Sequence, residues 1–315
     1  MLFRTEIEPP VWEQKITYNS RIMLMGSCFV THIGEKLRQM RFIANTNPTG
    51  VQYNPASIAQ TLQMLQSGIP LTIQDLLCHH EVYFSYTHHS SFSDVDAHQC
   101  LQKINNSIEE GHQFLQQSDF LIITLGTARV HRLKKTQQVV ANCHKMLRSL
   151  FDCQLLSVDA AAAVLDAMIT SLHNLRPQMN VVFSVSPVRH WKDGAHGNQI
   201  SKATLLLAIE QMVQQHKNVV YFPAYEIVLD DLRDYRYYAA DMLHLNPTAV
   251  DYIWEKFVLS TMDKTARTLL PEVERYNAML QHRPMFPQSV DYYRFIAKRD
   301  EALAQLRKKL PEHFC

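Results

Sequence analysis

The feature that most constrains this chain is the run Asp119-Phe120-Leu121-Ile122-Ile123-Thr124-Leu125-Gly126, apolar on both faces of any strand it forms and closed by a glycine. Such a strand does not alternate, so protein must cover it on both sides, as in a parallel sheet between helix layers. Two further runs read the same way: Ile22 to Met25 ahead of Gly26, and Asn180 to Val185 ahead of Ser186-Pro187. Arg41 to Ala44 and Asn218 to Phe222 are shorter candidates. Helical spacing fills the gaps, with stripes from Phe29 to Met40, from Pro55 to near Gly68, over Ala97 to Leu115, Val158 to Leu175 and Ile200 to Gln215. A strand is also expected at Val82, Phe84 and Tyr86, and a long loop around Asn142-Cys143-His144. Strand, polar loop and helix in repetition predict an α/β fold with a doubly wound parallel sheet.

After about residue 266 only helical stretches remain, around Glu272 to Gln281 and Val290 to Leu310, broken by Pro284 and Pro287. The expected organisation is therefore a domain over 1–265, including an extended N-terminal arm, and a C-terminal helical extension over 266–315. The net charge of +1 offers no field for nucleic acid or an anionic membrane. No apolar run reaches the length of a membrane span, and the N-terminus has no secretory h-region, so a cytoplasmic protein is expected. Six cysteines without a CxxC pair read as reduced thiols. With only eight glycines and neither a dinucleotide fingerprint nor a phosphate loop, no cofactor is expected.

Ser27 lies in the turn between the first strand and helix, at the carboxyl edge of the sheet where ligands bind. Its amide opens a helix N-terminus, so one residue can supply a nucleophile and an oxyanion donor. A hydroxyl needs a histidine to take its proton, and the histidine works best when a carboxylate fixes its tautomer. Asp241-Met242-Leu243-His244 offers that pair after the last strand. Cys28 is adjacent to Ser27 and about 100° away on a helix start, so both cannot face one base. Cys28 is read as a small buried packing residue.

Gly26-Ser27-Cys28-Phe29 resembles the signature of the GSCFA-domain family, itself similar to a branch of the SGNH (GDSL-like) hydrolases. Asn47-Pro48-Thr49-Gly50, Tyr53-Asn54-Pro55, Leu125-Gly126-Thr127, Asn142-Cys143-His144-Lys145, Ser186-Pro187-Val188-Arg189-His190, Lys192-Asp193-Gly194 with Asn198-Gln199, and Tyr235-Arg236 leading to Asp241 and His244 extend the resemblance over roughly 20–260. It implies a flavodoxin-like three-layer α/β/α sandwich with a five-stranded parallel sheet. It also implies Ser27 as nucleophile, His244 as base and Asp241 as its orienter, with the Ser27 and Gly50 amides as the oxyanion hole. SGNH enzymes usually add an asparagine after the third strand's glycine, where this chain has Ala128 beyond Gly126-Thr127. One lost oxyanion donor costs about 3 to 4 kcal/mol in characterised hydrolases. Asn54, Thr127 and Asn142 are the candidate replacements.

Arg189 and His190 follow a strand at the same edge and are candidates for binding substrate, a guanidinium being suited to an anionic group. The alternative for Arg189 is an ion pair with Asp193. His190 is the rival base to His244, set aside because no carboxylate stands at the pairing distance. The resemblance places His88 and His89 near the substrate mouth. Cys78-His79-His80-Glu81 lacks metal-binding spacing, and no metal is expected. Tyr235, Tyr237 and Tyr238 line a sugar cleft or pack as ordinary aromatics. The expected activity is a serine esterase removing an O-acyl group, an acetyl on a carbohydrate, from a small-molecule or carbohydrate substrate. An O-acyltransferase with the same triad and a non-catalytic carbohydrate-binding module are the alternatives, and oligomeric state is left open.

Overall fold

A computed structural model describes residues 4–311 of the chain. The apolar runs form β1 (Arg21–Gly26), β2 (Ile43–Thr46), β3 (Phe120–Leu125), β4 (Asn180–Val185) and β5 (Val219–Tyr221). All neighbours are parallel, and the order across the sheet is β2-β1-β3-β4-β5. This is the flavodoxin-like order, whose direction of winding reverses between β1 and β3.

Successive strand residues face opposite ways, so each buried strand feeds two cores. Ile22, Leu24, Phe120, Ile122 and Val182 share one core with α1 (Cys28–Gln39), α6 (Pro247–Thr261), α7 (Lys264–Gln281) and the end of α8 (Val290–Lys309). Met23, Met25, Leu121, Ile123, Val181 and Phe183 share the other with α2 (Pro55–Ser67), α4 (Val158–Leu175) and α5 (Gly194–Gln215). The three layers follow directly from that alternation. A further long helix, α3 (Ala97–Leu115), packs Cys100, Ile104 and Ile108 in a satellite cluster with Met64 and Tyr83. The arm before β1 runs along the end of α6, where the Ile16 N–H donates to the Thr261 carbonyl at 2.8 Å. Trp12 and Ile16 are buried in the first core. Among the described residues no helix is long and apolar enough to cross a membrane.

Four local expectations are corrected. The strand at 82–86 is half of a hairpin, Leu77–His79 with Val82–Phe84, whose turn residues His80 and Glu81 both take positive φ as a tight primed turn requires. The long loop holding Asn142 is partly a three-stranded antiparallel sheet of Val139–Val140, Arg129–Leu133 and Phe151–Leu155. Arg41 turns left-handed at φ 68° after α1, which delays β2 to Ile43. Helix α5 begins at Gly194 rather than Ile200.

Candidate active site

The site is assembled at the carboxyl edge, where the β1–α1 turn meets the loops after β2, β3, β4 and β5. Gly26 sits at φ +135°, and a Cβ there would lie 2.2 Å from the Thr124 carbonyl oxygen, so only glycine lets β1 end this close to β3. The loop after β2 clasps the turn. The Asn47 side chain accepts from the Gly26 N–H at 2.8 Å, and the Gln52 N–H donates to the Gly26 carbonyl at 3.0 Å.

Ser27 is the N-cap of α1, with extended φ −68° and ψ 170°, but its side chain makes no capping bond. It is 1% exposed, and its Oγ is sealed from solvent without a hydrogen-bond partner. Its N–H continues the sheet ladder by donating to the Thr124 carbonyl at 3.0 Å. Cys28, the first helical residue, is half-buried rather than enclosed, which corrects its reading as a buried packing residue. Burial raises its thiol pKa, opposed by the Cys28 and Phe29 N–H groups facing the sulfur and by the Lys202 charge; Asp241 acts in the raising direction.

Asp241 and His244 are bonded to each other. His244 Nδ1–H donates to Asp241 Oδ2 at 2.6 Å, while Asp241 Oδ1 accepts from the N–H groups of Leu243 and His244 at 2.9 Å each. Met242 takes φ +57°, which closes the turn between them. The His244 side-chain bond, followed by the two backbone donors, holds the Asp241 carboxyl down to about 2. Both side chains stand half in solvent, and His244 Nε2 is the ring nitrogen that Asp241 leaves unused.

A second such pair corrects the grounds on which His190 was set aside. His190 Nδ1–H donates to Asp193 Oδ2 at 3.0 Å, and the same oxygen takes an ion pair from Arg129 Nε at 3.1 Å. Arg189 does not pair with Asp193. It donates to the Met242 carbonyl, and its guanidinium lies over Trp191, Tyr235 and Tyr238 at 5.1 to 5.8 Å, tying the β4 loop to the Asp241 turn.

The proposed oxyanion donors are largely committed elsewhere. The Gly50 N–H donates to the Asn47 carbonyl at 2.8 Å. Asn54 caps α2, accepting from the Ser57 N–H and donating to Ser57 Oγ, both at 2.9 Å. Thr127 Oγ1 is bonded to Ser201 Oγ at 2.9 Å and accepts from the Arg129 N–H. Asn142 accepts from the His144 N–H at 2.8 Å, which engages its carbonyl oxygen and not its amide donor. Ala128, in the place of the usual asparagine, is fully buried in the second core. The N–H groups of Cys28 and Phe29, at the N-terminus of α1, are further donors at this edge.

His88 is not at a substrate mouth. It is wholly buried, bonded through Nδ1 to Thr87 Oγ1 at 2.9 Å and edge-on to Phe92, and burial with the nearby His144 pushes its pKa down to about 4. His89 presses its Cβ against Gly50 and bonds Ser91 at 3.0 Å through Nδ1. Two groups at the site escaped the sequence reading. Lys202 of α5 is 1% exposed, donates to the carbonyls of Ser186 and Val188 at 2.6 and 3.1 Å, and is pushed by burial down to about 7. Tyr53 stands beside His190 at 6.4 Å between ring centres, and its hydroxyl pKa is raised by burial and then by the Cys28 charge. A lone lysine in a helical stripe carries no signal that it will be buried.

A doubly wound α/β sheet with a histidine–carboxylate pair and a nucleophile-bearing turn at its carboxyl edge is an enzyme-like arrangement. The GSCFA family profile matches residues 21–257, and the chain belongs to that family. Among solved structures, a Clostridium thermocellum family 3 carbohydrate esterase aligns at 12% identity and TM-score 0.37, covering 80% of this chain and 98% of its own. No curated protein matches the sequence.

Proposed function

We propose that this chain is an SGNH-type acyl hydrolase that cleaves an O-acyl ester, with an acetyl group on a carbohydrate as the substrate class, through an acyl-enzyme formed at the Ser27-Cys28 turn. The observation that carries the reading is the 2.6 Å bond between His244 and Asp241, made at the same sheet edge as that turn. Asp241 fixes the tautomer with the proton on Nδ1, so Nε2 is the basic nitrogen. His244 then takes the nucleophile's proton, returns it to the leaving alcohol, and activates the water that releases the acyl group. The family resemblance puts the acyl group on Ser27; Cys28 is the other nucleophile of that turn. Trp191 and Tyr235 are more than half exposed beside Arg189 and offer apolar faces of the sort that stack on sugar rings.

Release of nitrophenolate from p-nitrophenyl acetate, and of acetate from an acetylated polysaccharide, tests the reading. Wild type is expected to turn over at least the aryl ester, and His244→Ala to lose about 10³-fold or more. A folded wild-type protein that releases neither product overturns it.

A further inference from the structure

The β1–α1 turn presents two nucleophilic side chains in sequence, and they occupy unlike environments. Ser27 Oγ has no accessible surface and no partner, and the Ser27 backbone is locked into the sheet through its N–H bond to Thr124. In this conformation the hydroxyl is turned away from solvent, whereas His244 stands half in it. Cys28 is one residue further on, where the chain has already entered α1, and that step rotates its side chain by about 100° and out of the packed layers. The N–H groups of Cys28 and Phe29 act on the thiol against the effect of burial, and the first N–H groups of a helix have no intrahelical partner.

We infer that Cys28 Sγ, not Ser27 Oγ, is the nucleophile of this site, activated by His244 and held for attack at the N-terminus of α1. The inference rests on the acyl-transfer reading above and names the atom that carries the acyl group. The Lys202 and Asp241 charges both act on the thiol, the first lowering and the second raising its pKa, as expected of groups gathered at one sheet edge. Because burial holds the sulfur as a thiol, a base is needed to generate the thiolate, and His244 supplies it.

The step balances without any co-reactant beyond water. His244 Nε2 takes the thiol proton, the Sγ–C bond forms, and the carbonyl pair moves onto oxygen. As that pair returns, the C–O bond to the alcohol breaks and the proton on Nε2 goes to the departing oxygen. Water, deprotonated by His244, then attacks the thioester; the Sγ–C bond breaks, and the acid and thiol are restored. Thiolate leaves a tetrahedral intermediate more readily than alkoxide, so forward collapse depends on that proton delivery. Aryl esters and thioesters, whose leaving groups need less help, are therefore favoured over alkyl esters.

The test is to treat the protein with p-nitrophenyl acetate, quench, and map the acetyl group by peptide mass spectrometry in wild type, Cys28→Ser, Cys28→Ala and Ser27→Ala. The expected result is an acetyl adduct on the Cys28 peptide, released by neutral hydroxylamine. Cys28→Ala is expected to lose the adduct and to turn over at least about a hundredfold more slowly than Ser27→Ala. An adduct on Ser27, or turnover that survives Cys28→Ala and vanishes in Ser27→Ala, overturns the inference while leaving the hydrolase reading intact. If wild type accepts no ester, that reading fails and the thiol is judged by alkylation. Iodoacetamide should then modify Cys28 at least about tenfold more slowly in His244→Ala, with the exposed Cys78 and Cys153 unchanged as internal controls. Equal Cys28 rates in the two proteins overturn the assignment.

Discussion

Two histidine–aspartate pairs share the carboxyl edge, and they differ in what else the carboxylate does. Asp241 serves His244 and the backbone of its own turn, with both side chains about half exposed. Asp193 divides one oxygen between His190 and Arg129, and is only 13% exposed. An imidazolium formed at His244 gains a carboxylate that no other cation holds, whereas at His190 the guanidinium already neutralises it. The first pair suits the base of the proposed reaction, and the second pins the β4 loop to the strand at Arg129–Leu133. A separation of three residues is common to both pairs; what differs between them is the third partner, Arg129, at Asp193.

The largest expected effect separates the histidines. His244→Ala should lower aryl-ester turnover by about 10³- to 10⁴-fold, and His190→Ala by no more than about tenfold, in steady-state assays. Comparable losses from both would break the comparison. Next come the carboxylates. Asp241→Asn should cost at least about a hundredfold in kcat through the wrong tautomer, whereas Asp193→Asn should register mainly as about 1 to 2 kcal/mol of stability in denaturant unfolding.

A pH titration sharpens the contrast further. The folded-state carboxyl of Asp241 is lowered from 3.8 to about 2, so its contribution to stability is complete above the unfolded value and fades as pH falls through about 2. Carboxyl NMR should find it still ionised at pH 3, and a normal titration there would show that the His244 bond does not persist in solution. The smallest effect is expected from Arg129→Ala. Loss of this partly buried ion pair should cost about 1 kcal/mol and loosen the β4 loop, seen as faster amide exchange at Arg189 and His190.

Much of the frame was legible because strands buried on both faces leave unbroken apolar runs, as at β1, β3 and β4, and helices with one core face leave a stripe, as in α1. The Asp241–His244 pair was legible because its partners are three residues apart. The His190–Asp193 pair has the same spacing, but the competing claim of Arg129 comes from a strand sixty-odd residues earlier and has no local trace. The antiparallel sheet around Phe151 was missed because its strands are short and bury few residues fully, so neither alternation nor a buried run marks them. The occupied Gly50 amide follows from loop conformation, which motif letters do not encode. Hardest to read was the turn itself. Whether the serine or the cysteine faces out depends on the residue at which the chain leaves the sheet and starts α1, and a shift of one position exchanges them.

The C-terminal helices give the turn a remote support. Val273, Tyr276 and Leu306 lie in the core that buries Ile33 and Leu37 of α1, and the Asn277 side chain donates to the Gln39 carbonyl at the last turn of that helix. Cys28 is at its first. A twelve-residue helix is a stiff rod of roughly 18 Å, so whatever grips one end aims the other. Loosening the α7 grip, as in Asn277→Ala, would leave the residues of the β1–α1 turn unchanged and still free the rod that aims them.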